Sequence, residues 1–125
     1  MKVVLIPCGT TEWDEQGRLL GRVELALNEG GQALCAQWVQ TLRDEGIDRI
    51  FHAPDELATQ TARYIARRLS VPAKSLDALR EVDLGLWAGL TEAQLKSRYA
   101  RAHRELCEAP LNVNPPGGEA VNEAA

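Results

Sequence analysis

Hydrophobic residues near the start of the chain form a short continuous run, Val3 to Ile6, which ends in a loop of glycine and threonine. An aliphatic run between loop signals predicts a strand that is buried on both faces, as in a parallel α/β sheet. The loop after such a strand lies at the carboxyl edge of the sheet, where open α/β folds bind their ligands. We therefore expect any functional site to include the segment Cys8 to Asp14.

Two later segments carry apolar residues at helical spacing. The first is expected to begin near Asn28 and to end at Gly46. Its apolar face consists of Leu34, Cys35, Trp38 and Leu42. The second is expected to begin near Pro54, since proline suits the first turn of a helix. Its buried stripe consists of Leu57, Ala58, Thr61, Ala62, Ile65 and Leu69. Residues 47–51 and 75–81 predict a second and a third strand.

A capping box predicts where another helix begins. Thr91 is the N-cap and Gln94 follows three residues later, so the helix is expected to run from there to about Glu108. Residues 111–125 contain prolines, glycines and asparagines and no periodic face, which predicts an extended tail. Because strands alternate with helices, we expect one α/β domain over residues 1–110 with a mostly parallel sheet.

Composition and charge exclude several classes of partner. The net charge of −4 and the absence of a clustered basic face argue against binding to nucleic acid. No apolar run reaches the roughly 20 residues that span a bilayer, and no signal peptide is present, so we expect a cytoplasmic protein without a membrane partner. The three cysteines, Cys8, Cys35 and Cys107, lack a C-x-x-C pair and predict neither a disulfide framework nor a metal site. No cofactor is expected.

Seven stretches, in order along the whole chain, resemble the motifs of the histidine phosphatase superfamily, also called the phosphoglycerate mutase-like family. They are Gly9-x-Thr11-Glu12-Trp13, Gly17-Arg18-x-x-Gly21, Leu27-Asn28-Glu29-x-Gly31, Pro54 with Gln60-Thr61-Ala62, Leu79 to Thr91, Arg98-Tyr99, and Pro115 to Glu119. The resemblance implies a three-layer α/β sandwich, of which residues 1–110 are the N-terminal part with a reduced, mostly parallel sheet.

In the resembled family a histidine takes the phosphoryl group, two arginines and a second histidine neutralise it, and a glutamate is the general acid. Such a site works by positioning and by positive charge at the phosphoryl oxygens. By resemblance, Cys8 stands at the nucleophile position, and Pro7 and Leu57 stand at the two arginine positions. Asp14 stands at a phosphate-contacting asparagine position, and only Glu81 matches its family role, that of the acid.

The remaining pocket positions implied by the resemblance are Gly9, Thr11 and Gly21, together with His52 after the second strand. The family's second histidine follows the segment that ends at Glu119 and is not reached within residues 1–125. Losing one charged donor from such a site costs about 10²–10³ in rate, and here the nucleophile and the donors are replaced together. The resemblance therefore predicts an inactive protein, which acts, if at all, as a binding or assembly module.

Other hypotheses remain open for Cys8. A cysteine phosphatase needs an arginine six residues after its nucleophile, whereas this chain has Asp14 there and flanking acids that disfavour a thiolate. The simplest interpretation is that Cys8 is a small apolar filler of the pocket. Alternatively, Cys8 and His52 form a dyad or bind a metal, and with Glu81 they make a residual phosphomonoesterase or mutase-like enzyme for a phosphorylated small molecule. A decayed remnant without a function is a third hypothesis.

The resemblance also has a consequence for partners. The family's sheet order is 3-2-4-1-5-6, and residues 1–125 do not supply strands 4, 5 and 6. Strand 1 then either pairs directly with strand 2 or presents unpaired edges. Because exposed apolar edges invite pairing, we expect a dimer or larger assembly that shares sheet edges or the tail 111–125.

Overall fold

A computed structural model describes residues 1–22 and 24–124 of the chain. They fall into two compact units: unit 1 comprises Met1–Thr11 and Glu24–Leu79, and unit 2 comprises Glu12–Val23 and Arg80–Ala125. In chain order the elements are α1 (Glu12–Glu15), α2 (Glu29–Leu42), β1 (Ile50–His52), α3 (Glu56–Leu69), β2 (Ala73–Ser75), α4 (Glu92–Arg98), α5 (Ala100–Glu108) and α6 (Val121–Ala124). Within the described residues, no helix combines the length and the apolar character needed to cross a membrane.

Unit 1 contains the helices α2 and α3 and a two-stranded parallel sheet. Asn28 caps α2, and its side-chain oxygen accepts the N–H of Gly31 at 2.7 Å. A 3-10 turn then leads to Gly46, whose φ of 67° stops the helical path, as predicted. β1 and β2 pair with Ile50 opposite Ala73. The core of unit 1 includes a cluster of Val39, Leu42 and Ile65.

The predicted helical faces are largely confirmed. On α3 the whole predicted stripe is buried except Leu69, which is half-buried, and Asp55 rather than Pro54 caps the helix. On α2 the buried face is shifted by one position. Its buried residues are Gly31, Cys35, Val39 and Leu42, whereas Leu34 and Trp38 are half-buried.

Unit 2 is built around a second apolar cluster, which consists of Trp87, Leu95 and Val113. The capping box at the start of α4 is confirmed, since Gln94 N–H donates to Thr91 Oγ1 at 3.2 Å and Thr91 N–H donates to Gln94 Oε1 at 3.0 Å. The single helix predicted to run to Glu108 is instead interrupted at Tyr99, where φ is −134° and ψ is 53°. The Tyr99 ring lies 5.9 Å from the ring of Trp87, so the interruption coincides with a packing contact.

Three predicted elements differ from the structure. Residues 3–6 are not a buried strand: none of the described strands pairs with them, and Leu5 is 90% exposed. The predicted third strand is shorter and earlier, because β2 covers Ala73–Ser75 and a 3-10 turn follows at Asp77–Leu79. Residues 111–125 are not simply extended, because they include the buried Val113 and the helix α6. The α/β class with a reduced parallel sheet is confirmed.

Candidate functional site

The predicted site residues are divided between the two units. Unit 1 carries Pro7, Cys8, Gly9, Thr11, His52 and Leu57, and unit 2 carries Asp14, Gly21 and Glu81.

The loop Gly9 to Thr11 is fixed against the start of α2. Asn28 N–H donates to the carbonyl of Thr10 at 3.2 Å, and Thr10 Oγ1 donates to Asn28 Oδ1 at 3.2 Å. A Cβ at Gly31 would overlap the carbonyl oxygen of Thr10, so only glycine allows this approach. The cap of α2 thus orders the loop, although the strand predicted before that loop is not formed.

A buried hydroxyl on α3 holds the same loop from a second direction. Gly9 N–H donates to Thr61 Oγ1 at 3.1 Å, and that hydroxyl donates to the carbonyl of Leu57 at 2.9 Å. Thr61 is only 5% exposed, so the bond is shielded from water. The sequence predicted Thr61 in the apolar stripe and Asn28 at a helix start, but it did not predict that both bind this loop. The sequence signal for such a role was that each lies in a stretch that resembles a family motif, as the Gly9 loop does.

Cys35 lies behind the loop and is fully buried. Desolvation by burial raises the pKa of the Cys35 thiol, and a hydrogen bond to Thr61 and the charge of Arg68 offset this in part. A Cβ at Gly9 would lie 3.3 Å from Cys35 Sγ, which shows how closely the thiol backs the loop. Cys35 is therefore a packed, neutral thiol and part of the scaffold.

The three positions that the resemblance assigns to the family's histidine and arginines have different environments. Cys8 and Pro7 are exposed, so Cys8 is not the covered filler that the sequence suggested. Leu57 is 8% exposed in the first turn of α3 and is part of the core. None of the three side chains carries a positive charge. Thr11, at the end of the loop, is 1% exposed.

His52 ends β1 and is half-buried. Its Nδ1 lies 2.6 Å from the carbonyl oxygen of Ala53, which can only accept, so Nδ1 carries the proton and Nε2 is the acceptor of the neutral ring. Over residues 1–22 and 24–124, no three or more His, Cys, Asp or Glu side chains are grouped to hold a metal ion.

In unit 2, the loop that carries Glu81 is fastened by Arg22. The guanidinium Nε donates to the backbone carbonyl of Glu81 at 2.7 Å, and Nη2 pairs with Glu119 Oε2 at 2.7 Å. Glu119 Oε2 also accepts the N–H of Asp83 at 3.2 Å. The exposed Glu81 side chain therefore projects from a loop whose backbone is held in place. Arg22 joins three chain segments, a role that the sequence did not reveal.

Arg18 also donates hydrogen bonds within unit 2. Arg18 Nη1 donates to the carbonyl of Gly89 at 2.5 Å, and Arg18 Nε donates to Gln16 Oε1 at 2.8 Å. Gly21 has a φ of 62°, and a Cβ there would lie 2.9 Å from Leu84 Cγ, so the turn depends on glycine. Asp14 lies on α1 and is exposed. Arg18 and Arg22 thus both take part in structural contacts.

Comparisons with known proteins show which family this chain matches. The family described as histidine phosphatase superfamily (branch 1) matches residues 3–125. Phosphoserine phosphatase 1 of Hydrogenobacter thermophilus is 28% identical over 121 residues, which are 97% of this chain and 57% of that protein.

Two solved mycobacterial structures share the fold at 26% identity. Mycobacterial hydrolase 1 superposes with a TM-score of 0.85 over 94% of this chain and 56% of its own. Mycobacterial glucosyl-3-phosphoglycerate phosphatase in complex with VO3 superposes with a TM-score of 0.81 over 94% of this chain and 57% of its own. The chain thus spans somewhat more than half the length of these relatives. With the family match running over nearly all its residues, it belongs to the histidine phosphatase superfamily.

Proposed function

We propose that residues 1–125 are a catalytically silent form of the histidine phosphatase fold and act by binding rather than by phosphoryl transfer. The observation that carries this proposal is that Cys8, Pro7 and Leu57 stand at the positions that the resemblance assigns to the nucleophile and the two arginines. The burial of Leu57 in the core of unit 1 supports it, because that position now contributes packing and presents no charge.

Electrostatics give the reason. A phosphoryl group in transfer needs positive charge at its oxygens, and each missing donor costs about 10²–10³ in rate. Arg18 and Arg22, which follow the first loop in the chain, already donate to Gly89 and to the Glu81 and Glu119 segments. Moving either guanidinium towards a phosphate would break these bonds within unit 2.

A residual phosphomonoesterase is the second candidate. Two observations favour it: the Cys8 thiol is exposed, and His52 keeps Nε2 as an acceptor. In that case the Cys8 thiolate would attack phosphorus, and the departing alkoxide would take a proton from a general acid, the role that the resemblance assigns to Glu81. Water would then hydrolyse the thiophosphate to release phosphate and the thiol.

Hydrolysis of p-nitrophenyl phosphate from about pH 4 to about pH 9 separates the two candidates. The proposal predicts no turnover above the buffer rate, and no change in Cys8→Ser or Glu81→Ala. Turnover that both substitutions abolish would establish the residual enzyme instead. Turnover that survives both substitutions would indicate a contaminating phosphatase, and repurification of the double variant would then remove it.

A further inference from the structure

An open groove lies within unit 2, where helix α4 ends and helix α5 begins. Its volume is about 440 Å³. The lining residues are Arg98, Tyr99, Ala100, Arg101, Ala102 and Glu105. Both arginines are exposed, and the two alanines add little bulk to the groove. A guest in this groove can therefore reach two guanidinium groups at once.

Positive charge is concentrated around this groove. Residues 93–104 contain four of the seven basic residues of unit 2 and none of its ten acidic residues. The four are Lys96, Arg98, Arg101 and Arg104, and all of them are exposed. The sequence led us to expect no clustered basic face, and this local cluster on α4 and α5 differs from that expectation.

The cations of this cluster are largely free of partners within the chain. Over the described residues, no hydrogen bond or ion pair engages the side chain of Lys96, Arg98 or Arg104. Arg101 Nε lies 3.3 Å from Glu105 Oε1, but this pair is open to water, since the Arg101 side chain is 89% exposed. The cluster is therefore available to a partner of opposite charge.

Helix stability does not explain the whole arrangement. Lys96 and Arg98 lie in the last turn of α4, where a positive charge interacts favourably with the helix dipole. Arg101 lies in the first turn of α5, where a positive charge is unfavourable. Arg101 and Arg104 are three residues apart on the same helix, so their like charges also repel each other. Charges of one sign clustered around a groove are typical of a surface that meets the opposite charge.

We propose that this groove binds a short acidic peptide segment, whose carboxylates pair with Arg98 and Arg101. The pair of Arg101 with Glu105 shows that the groove already holds a carboxylate beside a guanidinium. Because arginine donates from a planar fork, a guest carboxylate can accept two hydrogen bonds from one guanidinium. The proposal rests on the binding role given above and names the chemistry of the partner.

Nucleic acid fits this surface less well. Its affinity depends on many phosphate contacts along a continuous backbone, whereas this groove offers two arginines. Outside residues 93–104, unit 2 has ten acidic and three basic residues, which would repel a long polyanion. A segment of a few acidic residues contacts only the basic part of the unit.

Binding of fluorescein-labelled hexaglutamate to residues 1–125, followed by fluorescence anisotropy, tests the proposal. We expect saturable binding that weakens at least about 3-fold when the salt concentration rises from about 50 mM to about 200 mM. Arg98→Ala and Arg101→Ala should each weaken binding by about 3–5-fold, and the double variant by at least about 10-fold. Glu105→Gln should strengthen binding by about 2-fold, because a competing carboxylate is removed.

Arg63→Ala is the matched control, because Arg63 is an exposed arginine on α3 in unit 1. It removes the same charge and should leave the affinity unchanged. Arg98→Lys keeps the charge and should retain most of the binding. Equal weakening in Arg63→Ala and Arg98→Ala would overturn the proposal, because binding would then depend only on net charge.

Three other results would also overturn it. They are no binding of hexaglutamate, equal binding of the neutral peptide hexaglutamine, and tighter binding of a six-nucleotide oligothymidylate that the double variant abolishes. The last result would assign the groove to nucleic acid. Hydrolysis of p-nitrophenyl phosphate is measured separately on the same samples. Activity with peptide binding would remove the silent function and keep the groove, and inactivity without peptide binding would do the reverse.

Discussion

The hydroxyl of Thr61 connects helix α3 to the loop that begins at Gly9, and Thr61→Val tests how much this connection stabilises unit 1. Valine has nearly the same shape as threonine but neither donates nor accepts a hydrogen bond. The substitution removes the acceptor of Gly9 N–H, at 3.1 Å, and the donor to the carbonyl of Leu57, at 2.9 Å. It leaves the apolar packing of this position almost unchanged.

The expected cost follows from burial. Gly9 is buried and Thr61 is 5% exposed, so the amide of Gly9 has no access to water once its acceptor is gone. A buried polar group left without a partner costs about 1–3 kcal/mol. The carbonyl of Leu57 keeps its helical bond from the backbone of residue 61, so its loss is small. We expect Thr61→Val to lower the free energy of unfolding by about 2 kcal/mol.

Urea unfolding and amide exchange at Gly9 measure the effect. Thr41→Val is the matched control, because Thr41 Oγ1 makes the same type of bond on α2, to the carbonyl of Gln37 at 3.4 Å, but is exposed. It should cost less than about 0.5 kcal/mol, and Thr61→Ser should keep most of the stability and the protection of Gly9. A loss in Thr61→Val no larger than in Thr41→Val would refute the reasoning.

Three further predictions concern stability. Arg22→Ala should lower the free energy of unfolding by about 1 kcal/mol, because a partly exposed bridge between segments is lost, whereas Arg101→Ala should have no measurable effect in urea unfolding. Gly17→Ala should lower the free energy of unfolding by about 1–2 kcal/mol, because alanine is strained in the left-handed region but its Cβ meets no other atom there. Gly85→Ala should lower it clearly more, because a Cβ at Gly85 would also overlap backbone atoms. The raised pKa of Cys35 stabilises the folded state at pH values below the ordinary thiol pKa of about 8.5, and this stabilisation is lost as the pH rises above that value. In urea unfolding at several pH values, Cys35→Ala should lack this loss of stability.

Each of the three has an outcome that contradicts it. Equal losses in Arg22→Ala and Arg101→Ala would show that the bridge does not hold the segments together. Equal losses in the two glycine variants would show that the close backbone approach at Gly85 is relaxed at no cost. Parallel stability curves for the wild type and Cys35→Ala from about pH 8 to about pH 10 would show that the thiol ionises as readily in the folded state as in the unfolded state.

Local signals in the sequence predicted the local structure well. The Asn28 cap and the Thr91 capping box each depend on residues within three positions of one another, and both are formed. The strand predicted at residues 3–6 rests on a local aliphatic run between loop residues, whereas a strand also requires a pairing partner, and none of the described strands pairs with this run. Tyr99 interrupts a helix that its neighbours favour, and this position contacts Trp87, twelve residues earlier.

For the candidate site, too, the sequence predicted local features but not long-range contacts. The resemblance assigned family positions to Cys8 and Glu81, but it did not predict which residues hold their loops in place. Thr61 accepts a hydrogen bond from Gly9, 52 positions away, and Arg22 donates to residues 59 and 97 positions away. Such pairs leave no periodic or spaced pattern in a single sequence, so only the structure identifies them.

The bonds that order the Gly9 loop join neutral groups: a backbone amide, an asparagine side chain and threonine hydroxyls. Burial of an aliphatic side chain such as that of Leu57 contributes about 1.5–3 kcal/mol, whereas a buried and unpaired arginine would destabilise the core. Packing in unit 1 therefore favours leucine over a cation at position 57.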